Sequence, residues 1–424
     1  MNEENFRIGM PLFCDLIVSH NCFFKCKMCM DWKSPSNLPL QTFDECKRFI
    51  DGLSEFIDYR LDINIMGGEP FMIDWLLPLC DYIHSKGFNS IVSTNGYLID
   101  EEMAKKIADS NLGVLAISLD GMVAGTHDSI RGKEGAYEQV VKALGYLSKY
   151  NKGQKNVTIL TLILKQNLKE LTKIVNWAKD QKVVDTVSFL ALLDSGLAQN
   201  KQGWFRQPEY ANLWPQDKEE LIKVMDALID LKKSGHKINN PFSQLEAFKD
   251  YYNDPEKFLQ ETEYCIHDYI IDLDPNGEIF LSGHRLGSIK DRISVESLWF
   301  SEEANKIRRY IDLNGCDSSR SCMINFICAF KQDGSQSLDH YAQLAYSYQA
   351  RGRYDLALVN FLRALRANPD NAKLHAGKAY NSLKLKDYKV AVTAYQKAFE
   401  LEPGLLENER SNYLQSLRSF LLYG

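Results

Sequence analysis

Apolar and polar positions along residues 11–192 alternate between two rhythms. Short runs rich in β-branched residues predict strands at Leu12–Ser19, Asp62–Met66, Asn89–Ser93, Gly113–Leu119, Val157–Leu164 and Thr186–Ala191. Between them lie stretches of helical period, among them Phe71–Lys86, Glu101–Ser110, Tyr137–Tyr150 and Leu168–Lys182. Strand–helix alternation predicts an α/β domain with a parallel sheet and helices outside it. The texture changes at 195–262, which is rich in Gln, Asn, aromatic and charged residues, with Leu213-Trp214-Pro215 leading into a helix at Lys218–Lys233. This stretch reads as a bridge across the open side of the sheet that shapes a substrate pocket. Asp272–Phe280 reads as a β-hairpin turning at Pro275-Asn276-Gly277. Beyond a polar linker, Lys331–Ser335, the pattern repeats: Ala357, Phe361, Ala364 and Pro369 recur 34 residues later as Ala391, Tyr395, Ala398 and Pro403. Ala345 and Tyr354 recur as Ala379 and Tyr388.

A chain of 424 residues exceeds one typical domain, and the pattern divides it at 1–194, 195–262, 263–330 and 336–424. A hydrophobic content of 45% supports packed cores, and a net charge of −6 argues against a nucleic-acid or membrane-surface partner. Met1–Arg7 is polar and acidic, unlike a signal peptide, and no apolar run reaches the roughly 18 residues of a membrane span. Ten cysteines in such a chain fit metal ligation in a reducing cytoplasm better than disulfides.

The chemistry begins at Cys22-x3-Cys26-x2-Cys29, just past the first strand. Three thiolates on one loop can each hold one iron of a four-iron cube and leave the fourth iron open. Such an iron can chelate S-adenosylmethionine and reduce its sulfonium, giving a 5′-deoxyadenosyl radical. A zinc knuckle on Cys26-x2-Cys29 is the alternative, but no second Cys/His pair follows within fifty residues, and His20 reads as a loop residue.

Downstream, the sequence resembles the radical SAM superfamily, motif by motif, across about residues 11–192. Gly67-Gly68-Glu69-Pro70 closes an apolar strand and resembles the family's GGE motif, in which backbone and glutamate contact the methionine amino group. Glycines permit close backbone approach, and a carboxylate suits an ammonium. Ser93-Thr94-Asn95-Gly96 and Ser118-Leu119-Asp120-Gly121 resemble strand-end motifs that contact the ribose or the methionine carboxylate. His127-Asp128-x2-Arg131-Gly132 resembles a segment whose arginine pairs with that carboxylate. Met28 stands where many members carry an aromatic that packs on the adenine. The resemblance implies a partial (β/α)6 TIM barrel with its active site at the strand C-terminal ends, where these motifs fall. It also implies an electron donor such as flavodoxin or ferredoxin.

Cys265, Cys316, Cys322 and Cys328 form a second group. With Gly277 they resemble the SPASM/twitch extension, a small α+β domain, although Ser282 stands at one cysteine place of that pattern. The resemblance implies one auxiliary 4Fe–4S cluster on these four cysteines, with zinc on the same thiolates as the alternative. The C-terminal repeats resemble tetratricopeptide repeats capped by a helix at Glu407–Leu421. Together these features imply radical chemistry on a peptide or protein, the repeats gripping a partner or the substrate. Modification of a sugar, nucleoside or cyclitol is the alternative, and a non-catalytic metal-bearing scaffold a third. Cys14, Cys46 and Cys80 read as core residues, Cys14 being placed to serve as a hydrogen donor if it faces the lumen. Asp15, on the opposite side of the strand, is then a substrate contact only if its own side is the lumen.

Overall fold

A computed structural model describes residues 11–423 apart from 12, 30, 34–40, 58–59, 195–202, 262–269, 282, 292, 315–323, 326–341, 343–344, 347, 350–351 and 353. Residues 11–330 and 331–424 belong to two compact units.

The first unit is built on strands β1 (Phe13–Ser19), β2 (Asp62–Gly67), β3 (Asn89–Thr94), β4 (Val114–Ser118), β5 (Asn156–Ile163) and β6 (Thr186–Ala191). Each pairs in parallel with its neighbour in chain order, as the alternation predicts. Period-two burial in β1 and β2 marks the two faces of the sheet. In β1, Cys14 and Leu16 are fully buried, while Phe13, Asp15 and Ile17 are half-buried on the other face. Asn64 and Met66 of β2 continue the half-buried face, which is the lumen of the partial barrel. The buried face is covered by helices Phe43–Ser54, Leu76–Ser85, Glu101–Asp109, Ala136–Tyr150 and Leu171–Asp180. The first of them starts at a capping box, Thr42 with Glu45. Cys14, Cys46 and Cys80 all lie in this buried layer, so Cys14 does not face the lumen and is no candidate hydrogen donor.

The predicted hairpin forms, but as part of the same sheet. Strand β7 (Ile270–Leu273) pairs in parallel with β1, and β8 (Glu278–Leu281) and β9 (His284–Ser288) follow antiparallel. The result is nine strands in the order β6-β5-β4-β3-β2-β1-β7-β8-β9. Covering the free edge of β1 removes a row of unpaired backbone groups.

The described part of the expected bridge lines the opposite edge of the sheet, along β6. Residues 237–240 run beside β6: Val187 N donates to the Lys237 carbonyl (2.8 Å), and Asn239 N to that of Val187 (2.9 Å). The Asn240 amide then pairs with both backbone groups of Phe189. Asn325 repeats this device at Ala191, accepting at 2.6 Å and donating at 2.9 Å. An aromatic cluster of Trp204, Tyr210, Trp214, Tyr251 and Tyr252 caps the ends of β5 and β6, the Tyr252 hydroxyl donating to the Ile163 carbonyl (2.6 Å). Cys265, Ser282, Cys316, Cys322 and Cys328 lie outside the described residues.

The second unit contains helices Tyr354–Ala367, Ala372–Lys384, Tyr388–Leu401 and Leu405–Tyr423. The recurring positions are its core: Ala357, Phe361, Ala364, Ala379, Ala391, Tyr395 and Ala398 are fully buried. A Cβ on Gly377 would sit 2.3 Å from the Phe361 ring, which is why that contact needs glycine. Tyr413 of the last helix packs on Tyr395 and Phe399, closing the array as the expected cap.

Candidate active site

The three cysteines follow β1 on a loop that two neighbouring segments clamp. On one side, Gly68 N donates to the Ser19 carbonyl (2.6 Å) and Glu69 N to the Asn21 carbonyl (2.9 Å). The two glycines are required there by the loop itself. A Cβ on Gly67, whose φ is +128°, would meet Ser19 O at 2.1 Å, and one on Gly68 would meet Asn21 O at 2.0 Å. On the other side, Lys27 N donates to the Ile130 carbonyl (3.0 Å) at the end of helix Ala124–Arg131. Gly132 caps that helix at φ +62° and approaches Lys25 O so closely that a Cβ would lie at 2.2 Å. Within the loop, Trp32 Nε1 donates to the Cys26 carbonyl (3.1 Å). Cys26 is buried, while Cys22 and Cys29 are half-buried.

Glu69 is 1% exposed and fastens β2 to β3. Its Oε1 accepts from Thr94 Oγ1 (2.7 Å) and Phe71 N (3.1 Å), and its Oε2 from Asn95 N (2.8 Å). Burial raises its pKa, and these bonds oppose the rise. Both oxygens, which the GGE resemblance assigns to an ammonium, are therefore already engaged by the protein. Glu69→Ala strands three donors, two of them backbone N–H groups, so it should destabilise the protein by roughly 2–4 kcal/mol. Thermal unfolding without any ligand checks this: a variant that melts like the parent would show that these bonds contribute nothing net.

Arg131 has a similar double engagement. Its Nε lies 2.7 Å from Asp120 Oδ2, a contact of opposite charges rather than an aligned hydrogen bond. It also reaches Cys26; burial pushes that thiol up and Arg131 opposes the shift. Asp120 Oδ1 accepts from Leu162 N (2.8 Å), and Asp120 N donates to His127 Nδ1 (3.0 Å). His127 is fully buried, which drives its pKa down to about 3 and keeps it neutral. Asp128 accepts from Gly135 N and Tyr137 N at 2.7 and 2.8 Å, shaping the turn after Gly132.

Three features leave room for a ligand. Asn95 Nδ2 is buried and has no hydrogen-bond partner, although Asn95 Oδ1 accepts from Tyr97 N (2.9 Å). Ser93 and Ser118 end their strands half-buried on the lumen face, and Ser93 Oγ donates to Asn64 Oδ1 (3.3 Å). Phe23, Phe24 and Tyr97 form an edge-to-face triplet beside the cysteines, with ring centroids 5.2–5.6 Å apart. Lys133 lies over two of these rings, and Met28 packs against the same group. Pro70 opens the buried turn after Glu69. Sequence reasoning missed the triplet; the adjacent phenylalanines inside the cysteine spacing were its available signal. Among the described residues, no three Cys, His, Asp or Glu side chains converge on a single ion.

Residues 16–178 match the family model of the radical SAM superfamily, and residues 339–371 and 372–405 match that of the tetratricopeptide repeat. The chain thus carries a radical SAM domain followed by tetratricopeptide repeats. It is 32% identical to Fe-coproporphyrin III synthase of Methanosarcina barkeri over 167 residues, 39% of this chain and 40% of the relative. It is 31% identical to mycofactocin maturase MftC of Mycolicibacterium smegmatis over 170 residues, 40% and 42% of the respective chains. The chain spans about two fifths of the length of these relatives. In fold it resembles Streptococcus suis SuiB bound to precursor peptide SuiA, with a TM-score of 0.52, 13% identity and coverage of 71% of this chain and 67% of that one. Radical SAM domains use a 4Fe–4S cluster and S-adenosylmethionine, and this site fits them: three thiols on one clamped loop, an orphaned buried amide and an aromatic wall.

Proposed function

We propose that this chain is a radical SAM enzyme that modifies a peptide or protein. The observation that carries the reading is the clamping of the Cys22–Cys29 loop between Gly67–Glu69 and the Arg131–Gly132 helix end. When bound, the cluster and S-adenosylmethionine supply a 5′-deoxyadenosyl radical that removes a hydrogen atom from the substrate. The chain's own part is placement. Cys22, Cys26 and Cys29 hold three irons, and Asn95 Nδ2 offers a buried donor to the cofactor. Gly67, Gly68, Pro70, Ser93, Ser118 and Met28 line the same strand ends. Glu69, Asp120 and Arg131 hold the surrounding backbone and the Cys26 thiol in place. An auxiliary cluster on Cys265, Cys316, Cys322 and Cys328, and a flavodoxin or ferredoxin as electron donor in the cytoplasm, belong to the same proposal. No described helix is long and apolar enough to cross a membrane.

The peptide is favoured by the maturase relative, by the peptide-bound structure of similar fold, and by tetratricopeptide repeats, a scaffold suited to gripping extended chains. Chemistry on a tetrapyrrole or other small molecule is the second reading, favoured by the Fe-coproporphyrin III synthase relative.

Anaerobic protein with a strong reductant should convert S-adenosylmethionine to 5′-deoxyadenosine without substrate; no product from cluster-loaded protein would refute the radical reading. Cutting the chain before Lys331 then separates the substrates. If the repeats hold a peptide, turnover should fall mainly through a raised KM, because remote binding energy is lost. An unchanged KM for a small substrate would favour the second reading.

A further inference from the structure

The lumen face of the sheet carries two carboxylates that the proposed chemistry does not use. Asp15 of β1 and Asp272 of β7 are register partners on adjacent parallel strands, so their Cα atoms lie roughly 4.8 Å apart. Asp15 Oδ1 accepts from Asn64 Nδ2 (2.8 Å), and Ser93 Oγ, donating to Asn64 Oδ1, fixes that amide's orientation. Asp272 Oδ1 is fully buried and has no hydrogen-bond partner. No lysine or arginine occurs in β1 to β8, so no strand of the lumen wall supplies a counter-charge. Burial raises the pKa of both groups, that of Asp15 to about 6 against the opposing bond from Asn64, and the Asp15 charge pushes Asp272 up further.

Two buried carboxylates side by side, with an orphaned acceptor and no counter-charge from the described strands, are costly to ionise, so the pair holds a proton unless another positive group completes it. We propose that Asp15 and Asp272 form an anionic subsite of the substrate cavity that binds a cationic group of the substrate, an alkylammonium or guanidinium such as a basic side chain carries. The chemistry is selective. Asn64 fills one acceptor with a fixed donor, and once a cation displaces the proton the oxygens left over only accept, so the group that ionises the pair must bring N–H donors and positive charge. The pair lies four residues below Ser19 along β1, roughly 13 Å from the base of the cysteine loop. A long basic side chain entering from the strand ends spans much of that depth.

The proposal rests on the reading above only in taking the lumen as the place of the substrate. Its test uses the full, cluster-loaded chain with hexylammonium and hexylguanidinium as probes and hexanamide and hexanoate as controls, binding being read by calorimetry near neutral pH. Both cations should bind more tightly than hexanamide, and hexanoate least. Asp272→Asn should weaken the cations about ten- to a hundredfold, the loss expected for a hydrogen bond to a charged group, without weakening hexanamide. Equal binding of cation and neutral amide by the unmodified protein would overturn the proposal without reliance on any variant. So would unchanged cation affinity in folded Asp15→Asn/Asp272→Asn protein. Formation of 5′-deoxyadenosine by the same unmodified sample separates the two readings. Cleavage without cation preference sinks the subsite alone, whereas loss of cleavage sinks the radical reading.

Discussion

Replacing Cys22, Cys26 and Cys29 together with alanine should abolish 5′-deoxyadenosine formation and remove about four irons per chain, the content of one cube. The loop carries no other thiol, and Gly67–Glu69 and Ile130 hold it through backbone bonds that alanine does not disturb. The variant should therefore remain folded, with a circular dichroism spectrum like the parent's. If the auxiliary cysteines also hold a cube, the parent should carry about eight irons and the variant about four. A parent with about four irons and stoichiometric zinc would refute the auxiliary cluster. Iron retained in full by the triple variant would refute the assignment of the loop.

The second large effect is expected at a residue without chemistry of its own. Gly68→Ala puts a methyl group 2.0 Å from Asn21 O and 2.4 Å from Asn21 C, backbone atoms that cannot swing aside as a side chain would. Either the cysteine loop moves off the strand ends or the end of β2 bends. Overpacking of this kind costs roughly 1–3 kcal/mol where side chains yield, and more where backbone must shift. The variant should lose cluster loading and melt several degrees lower. Gly145→Ala is the control: it lies within helix Ala136–Tyr150 with nothing within 4 Å of its Cβ position, so the change should be neutral or slightly stabilising. Full iron content and an unaltered melting point in Gly68→Ala would show that the clamp is looser than this geometry requires.

The six parallel strands were legible as short β-branched runs because a parallel sheet buries much of both faces: β1 and β2 alternate, whereas β4 and β6 each carry three consecutive buried residues. The cysteine triplet and the motifs at the strand ends were legible as types and spacings. Their partners were not. Nothing local in Gly67-Gly68 says that the glycines accommodate the Ser19–Asn21 backbone, since that contact joins segments nearly fifty residues apart. The hydrogen bonds of Glu69 to Thr94 and Asn95, and the reach of Arg131 to Cys26, depend likewise on tertiary placement. Asp15 could be assigned to the side opposite Cys14 from the sequence alone. Its pairing with Asp272 required the register of β1 with β7, which no local pattern encodes.

That pairing also has a temporal side. Strand β1 is the first of the described strands, and the strand that covers its outer edge begins at Ile270. A ribosome adding roughly 5–20 residues per second needs on the order of 10–50 s to make the intervening segment. Throughout that interval the strand leading into the cysteine loop presents an uncovered edge, the feature most prone to recruit a wrong partner. A charged residue placed mid-strand is one of the ways proteins discourage such recruitment, and Asp15 occupies that place in β1.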